Sequence, residues 1–313
     1  MTRVTRRRFF GAALAGAASP AVIAAAEQVP QTTAAGVTVE KDVVFGKGGD
    51  LDLKLDIFRP PAGKQKRMAT IHFHGGGFAR GSKDAIGDRI RPYAALGYVA
   101  VAAQYRLSGQ AGFPALVHDA KAAIRWVRAN AKSLGIEAER IAVVGYSAGG
   151  YHALFTAGTG DRPEWEGTGG SPGVSSKVAA CLAYYPATNI TASMLPAGSS
   201  DQDRRLAAAT SHIAAGFPPT AIFHGFKDVT IPIESSLRLV QQLRDVNVPV
   251  EFHGFEGVPH AFDSNPEFAV AAAQLADLFL DRHVVKPRTY PPFGGGGRED
   301  GGTSGGAAAG RGR

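Results

Sequence analysis

The sequence predicts an α/β fold: a mostly parallel sheet of about eight strands, helices on both faces and small insertions above the sheet. Three observations predict it. Leu51, Leu53, Leu55 and Ile57 alternate with Asp52, Lys54 and Asp56, the period of a half-buried strand. Beyond Pro60 and Pro61, short apolar runs alternate with longer amphipathic segments, as parallel strands alternate with crossover helices. One of those runs ends in a sharp Gly-x-Ser-x-Gly turn that opens a helix.

The elements follow in order. Val43, Val44 and Phe45, ahead of the Gly48-Gly49-Asp50 turn, read as the hairpin partner of the alternating strand. Buried strands are expected at residues 69–74, 98–104, 140–145, 178–185, 220–224 and 250–255. The clearest helix spans residues 114–134, with Leu116, Val117, Ala120, Ile124, Val127 and Ala131 on one stripe and Gly135 as its stop. Residues 232–245 and 266–282 read the same way, each with proline in the first turn. Residues 162–176 and 187–216 lack clean periodicity and are expected to lie as insertions above the sheet. The catalytic body is thus expected over residues 40–283.

Charge belongs to the ends. The chain has 313 residues and a formal charge of +7. Arg3, Arg6, Arg7 and Arg8 supply four of those charges, and the segment from Val284 sets five bases against two acids. The body is near neutral, which argues against a phosphate-tracking face and a nucleic-acid partner. Arg6-Arg7-Arg8-Phe9-Phe10, the Ala-rich stretch after it and the small Ala24-x-Ala26 pair predict a leader over residues 1–26 of twin-arginine type. The mature protein is then expected to start near Glu27 and to work in the periplasm or outside the cell. Pro20 and the weak apolarity of alanine speak against a stable membrane anchor. Residues 287–313 are Gly- and Arg-rich and are expected to be disordered. The single cysteine, Cys181, sits in an apolar run and reads as a small buried hydrophobe.

The chemistry gathers at strand ends. Gly145-Tyr146-Ser147-Ala148-Gly149-Gly150 follows a buried strand and precedes a helix, so Ser147 is the expected nucleophile. His74-Gly75-Gly76-Gly77-Phe78 ends another strand, and its glycines let backbone N–H groups turn toward one point. With the N–H of Ala148 those donors suit an oxyanion. A serine nucleophile needs a base and an acid that orients it, in the chain order Ser, acid, His. His260, in a loop after a strand, is preferred over His253 within a strand and His283 at a helix end. Asp228, also between strand and helix, is preferred over Glu256 and Asp263, while Asp245 reads as a solvated helix residue. His72 and His74 face one side of a strand but lack carboxylate or thiol company at ligand spacing, so neither a metal nor another cofactor is expected.

These motifs resemble the α/β-hydrolase carboxylesterases, and most closely the bacterial feruloyl and acetylxylan esterase group and the hormone-sensitive-lipase-like esterases. Gly81-Ser82-Lys83-Asp84, Tyr105-Arg106-Leu107 and Phe113-Pro114-Ala115 resemble the first group. The likeness runs over roughly residues 43–283. It implies Ser147, Asp228 and His260 as a triad, with N–H groups of Gly76, Gly77 and Ala148 as the oxyanion hole; Gly75 carries over less well. It implies hydrolysis of a small-molecule or polysaccharide-linked ester through an acyl-enzyme. A peptidase on the same fold and a non-catalytic binding module are the rival readings. The N-terminal cap helices of the lipase-like branch have no counterpart here, and neither insertion carries a helix-period apolar stripe. A short acyl group or a flat aromatic one is therefore the expected substrate.

Overall fold

Residues 36–290 are described by a computed structural model. The leader at 1–26, and the tail beyond its first four residues, lie outside the described residues. The hairpin forms as its alternation requires: β1 (Thr38–Gly48) pairs antiparallel with β2 (Leu51–Arg59), whose Leu53, Leu55 and Ile57 point into the core. The apolar runs become β3 (Ala69–Phe73), β4 (Val99–Ala103), β5 (Ile141–Tyr146), β6 (Ala180–Tyr184), β7 (Thr220–Gly225) and β8 (Val250–Phe255). They form one eight-stranded sheet in the order β1-β2-β4-β3-β5-β6-β7-β8. Every pairing from β4 onward is parallel. β3 through β7 are buried along their whole length, which is why they read as mainly apolar runs rather than alternating ones. Cys181 lies in the middle of this layer, fully buried.

The helices are α1 (Gly87–Ala95), α2 (Ala115–Ala129), α3 (Ala131–Leu134), α4 (Ala148–Gly158), α5 (Pro163–Glu166), α6 (Asp201–Ala207), α7 (Ile233–Asp245) and α8 (Pro266–Leu280). The helix expected over 114–134 is broken at Asn130, whose side chain donates back to the Trp126 carbonyl at 2.8 Å. Gly135 then ends the second piece in the left-handed region, φ 71°. The last helix also changes character, passing into a π turn over Asp281–Val285.

The first insertion is held by α2. Lys121, fully buried, reaches Glu166 at 2.6 Å and Ser176 at 3.2 Å. Arg125 donates to the other Glu166 oxygen at 2.7 Å, and Arg128 to the carbonyls of Ser175 and Lys177. Burial lowers the Lys121 pKa from its ordinary value, and Glu166 opposes that shift. Taking away one partner of such a set would leave a buried charge uncompensated.

One core side chain sits against its own interest. His152 on α4 is fully buried among Phe73, Phe78 and Tyr105, and neither ring nitrogen has a hydrogen-bond partner among the described residues. Burial pushes its pKa down to about 3. Unfolded, the ring takes a proton near pH ~6.5. Between these values the unfolded chain binds more protons, so stability falls as pH drops through that window. His152→Leu should raise the unfolding free energy by ~1 kcal/mol at neutral pH and reduce the acid sensitivity. Thermal melts at pH 7 and 4.5 check this; a variant melting below wild type at both would refute it.

Candidate active site

β3 and β5 are neighbours at the point where the strand order reverses, so the loops after them open side by side at the carboxyl edge of the sheet. The turn after β5 is forced. Ser147 has φ 55° and ψ −115°, a conformation that lifts its side chain off the sheet and starts α4 beneath it. A Cβ at Gly145 would stand 2.0 Å from the Gly149 carbonyl oxygen, and one at Gly149 would stand 1.9 Å from that of Phe73. Only glycine at both positions lets α4 begin this close to β5 and β3. The Ser147 N–H donates to Tyr184 O at 3.0 Å, and its carbonyl accepts from Gly150 N and Ala187 N. The strained residue is thereby pinned to β6.

The residues expected from sequence meet at Ser147. His260 Nε2 lies 2.9 Å from Ser147 Oγ, and His260 Nδ1 lies 2.6 Å from Asp228 Oδ2. Asp228 Oδ1 accepts from the backbone N–H groups of Thr230 at 2.8 Å and Ile231 at 2.9 Å. With both oxygens engaged, the buried carboxylate has one orientation. Tyr185 meets the His260 ring edge-on, centroids 4.6 Å apart.

The glycine loop packs on the nucleophile: a Cβ at Gly75 would come 3.1 Å from Ser147 Cβ. Gly76, at φ 125°, could not be replaced, since its Cβ would fall 2.0 Å from the Arg80 carbonyl oxygen. Among the described residues, the N–H groups of Gly76, Gly77 and Ala148 have no acceptor. The loop is held from behind by Tyr105, which stacks on His74 at 4.4 Å and donates to His74 O at 2.8 Å. Arg106, next to it, grips Asp119 of α2 with two parallel bonds of 2.7 and 2.8 Å.

The rival candidates go elsewhere. Asp263 accepts from the Tyr185 hydroxyl and has Arg89 Nε at 3.7 Å, with no hydrogen bond to His260. Burial raises its pKa above the ordinary carboxylate value. Asp245 accepts from Gln241 at the end of α7, His253 stacks on Phe223, and the His283 ring packs tilted against Phe279. His72 is engaged by Tyr146 and Thr70, and His74 by the Gly75 carbonyl. No cluster of three or more His, Cys, Asp or Glu side chains that could hold a metal ion occurs among the described residues.

Two features were not legible beforehand. His224, the penultimate residue of β7, stands with Nε2 3.1 Å from Asp228 Oδ2. A buried histidine in an apolar strand, four residues before a loop carboxylate, is the signal that could have found it. Above the sheet, Trp165, Leu195, Pro196 and Leu206 converge with Phe113 and Pro114 on an apolar hollow of about 400 Å³. The insertions are therefore less featureless than their scattered apolar residues suggest, although no member of the Ser147–His260–Asp228 set lines the hollow.

A serine elbow facing a glycine loop at the switch point of this sheet defines an α/β-hydrolase. The chain matches the BD-FAE family over residues 55–243 and belongs to it. Similar proteins include the probable carboxylic ester hydrolase LipM of Mycobacterium tuberculosis, 28% identical over 77% of this chain and 62% of that protein. Esterase LipQ of the same organism is 28% identical over 71% of this chain and 57% of its own length. The chain thus spans about three fifths of these curated relatives. A thermophilic esterase of Thermogutta terrifontis, solved with propionate bound, is 30% identical with a TM-score of 0.68, covering 82% of this chain and 98% of that one.

Proposed function

We propose that this protein is a carboxylic ester hydrolase that acts through Ser147 on short-acyl or aromatic-acyl esters. The observation carrying the reading is the unbroken line from Ser147 Oγ through His260 to Asp228, with bonds of 2.9 and 2.6 Å. In this mechanism Oγ attacks the ester carbonyl carbon while its proton passes to His260 Nε2. Asp228 keeps the other ring proton on Nδ1 and stabilises the imidazolium that forms. The N–H groups of Gly76, Gly77 and Ala148 hold the negative oxygen. The alcohol leaves with the proton from His260, and an acyl-enzyme remains. Water then repeats the sequence, giving up a proton to His260 and releasing the carboxylic acid.

The short-acyl preference is supported by the Thermogutta terrifontis relative, which has been solved with propionate and with butyrate bound. That same relative has been solved phosphorylated by paraoxon. Esters linked to plant cell-wall polysaccharides belong to the proposal as well. In a series of p-nitrophenyl esters, kcat/KM should peak between acetyl and butyryl and fall by octanoyl. Each CH₂ buried is worth about 0.8 kcal/mol, so an apolar channel continuous with Ser147 would reverse that trend. A maximum at decanoyl would refute the short-acyl reading and assign the hollow at Phe113 and Trp165 to the acyl chain.

Export is part of the proposal, resting on Arg6, Arg7 and Arg8 ahead of the apolar leader. Replacing Arg6 and Arg7 by Lys, with Arg8→Gln, should hold the precursor in the cytoplasm on cell fractionation. Undiminished export would refute the twin-arginine route.

A further inference from the structure

We propose that His224 is a positioning residue for the Asp228–His260 pair and that Ser236, by donating to Nδ1, supports the tautomer in which it works; the role presupposes the esterase reading above.

His224 and Ser236 are both fully buried, one at the end of β7 and the other on α7. His224 Nδ1 lies 2.7 Å from Ser236 Oγ. His224 Nε2 lies 2.9 Å from the Ile231 carbonyl oxygen and 3.1 Å from Asp228 Oδ2. A carbonyl and a carboxylate only accept, so a bare Nε2 lone pair would oppose two oxygens at once. The proton therefore belongs on Nε2, and the Ser236 hydroxyl donates into Nδ1.

That tautomer closes the loop around the carboxylate. The Ile231 N–H is given to Asp228 Oδ1, and the Ile231 carbonyl is taken by His224. Ile231 thus holds the Asp228 carboxylate through its N–H and His224 of β7 through its carbonyl, and His224 in turn reaches Ser236 of α7. The positive edge of the His224 ring also stands beside Oδ2, the oxygen that receives His260 Nδ1–H at 2.6 Å. Burial holds the His224 pKa below its ordinary value, with Ile231 and Asp228 opposing, so the ring stays neutral at pH 7. Neutrality matters, because a second cation on Oδ2 would compete with the imidazolium that His260 becomes. A neutral N–H steadies the carboxylate without that competition.

A merely space-filling histidine would tolerate an apolar replacement of its volume. His224→Leu, His224→Gln and Ser236→Ala separate the two roles, with kcat and KM read on p-nitrophenyl acetate and the His260 Nδ1–H proton read by downfield NMR. His224→Leu should lower kcat by about 10–100-fold, the range seen when metal-bound histidines lose an outer hydrogen-bond partner, and shift the His260 proton while KM changes little. The Gln side chain can donate to the same oxygens and should recover most of kcat. Ser236→Ala should move the His260 proton in the same direction by less, and it serves as the test if the Leu variant does not fold. An unmoved His260 proton with kcat at the wild-type level, or a Gln variant no better than Leu, would overturn the proposal. Absence of ester hydrolysis in the wild-type protein would instead overturn the esterase reading, and the His260 proton would still report on His224.

Discussion

Ser147→Ala should fold with an unchanged melting temperature and lose ester hydrolysis by about 10⁴–10⁶-fold, because members of a triad act as a unit. The loss should fall on kcat. The substitution removes one oxygen from a residue whose φ of 55° is imposed by the glycines around it and by its bond to Tyr184, so the backbone has no cause to move. KM for p-nitrophenyl acetate should stay close to the wild-type value. Paraoxon supplies a second measure: wild type should take up one phosphoryl group per chain, located on Ser147 by mass spectrometry, and the variant none. Near-native turnover in Ser147→Ala, or labelling at another residue, would end the proposed mechanism.

How much of this was legible follows from the range of each interaction. The strands and the hairpin are written locally, since Leu51 to Ile57 alternate along one strand and the buried runs of β3 to β7 are predominantly apolar. The elbow is local too, because the steric demand at Gly145 and Gly149 comes from atoms brought near by the turn itself. His260 and Asp228 could be chosen by position alone, each in a loop at a strand's carboxyl end. The packing between distant segments was hidden. Nothing in the spacing of Lys121 and Arg125 says that they will close on Glu166, or that Asp263 will turn to Tyr185, 78 positions away in sequence. The apolar hollow escaped for the same reason: Phe113, Trp165, Leu195 and Leu206 come from separate connections and share no period. His224 escaped because a polar residue in a buried strand carries no mark of what it faces.

Asp228→Asn is expected to be damaging as well, somewhat less so than loss of the nucleophile and for a different reason. The Asn Oδ1 can keep the N–H groups of Thr230 and Ile231, so the loop should hold its shape. The amide nitrogen then takes the place of Oδ2, where His260 Nδ1–H and the His224 Nε2–H edge both arrive as donors. Donors do not bond donors, so His260 must turn its Nδ1 lone pair to the amide and carry its proton on Nε2. That nitrogen faces Ser147 Oγ at 2.9 Å and, once protonated, cannot accept the proton of the attacking hydroxyl. The wrong tautomer should cost about 10³–10⁴-fold in kcat, with substrate binding little altered. Asp263→Asn is the control, since Asp263 is bonded to Tyr185 and not to His260, and its loss should fall well short of that. Equal damage from the two substitutions would mean that His260 is held by the charge of the whole pocket rather than by the Asp228 carboxylate, and the assignment of Asp228 would fail.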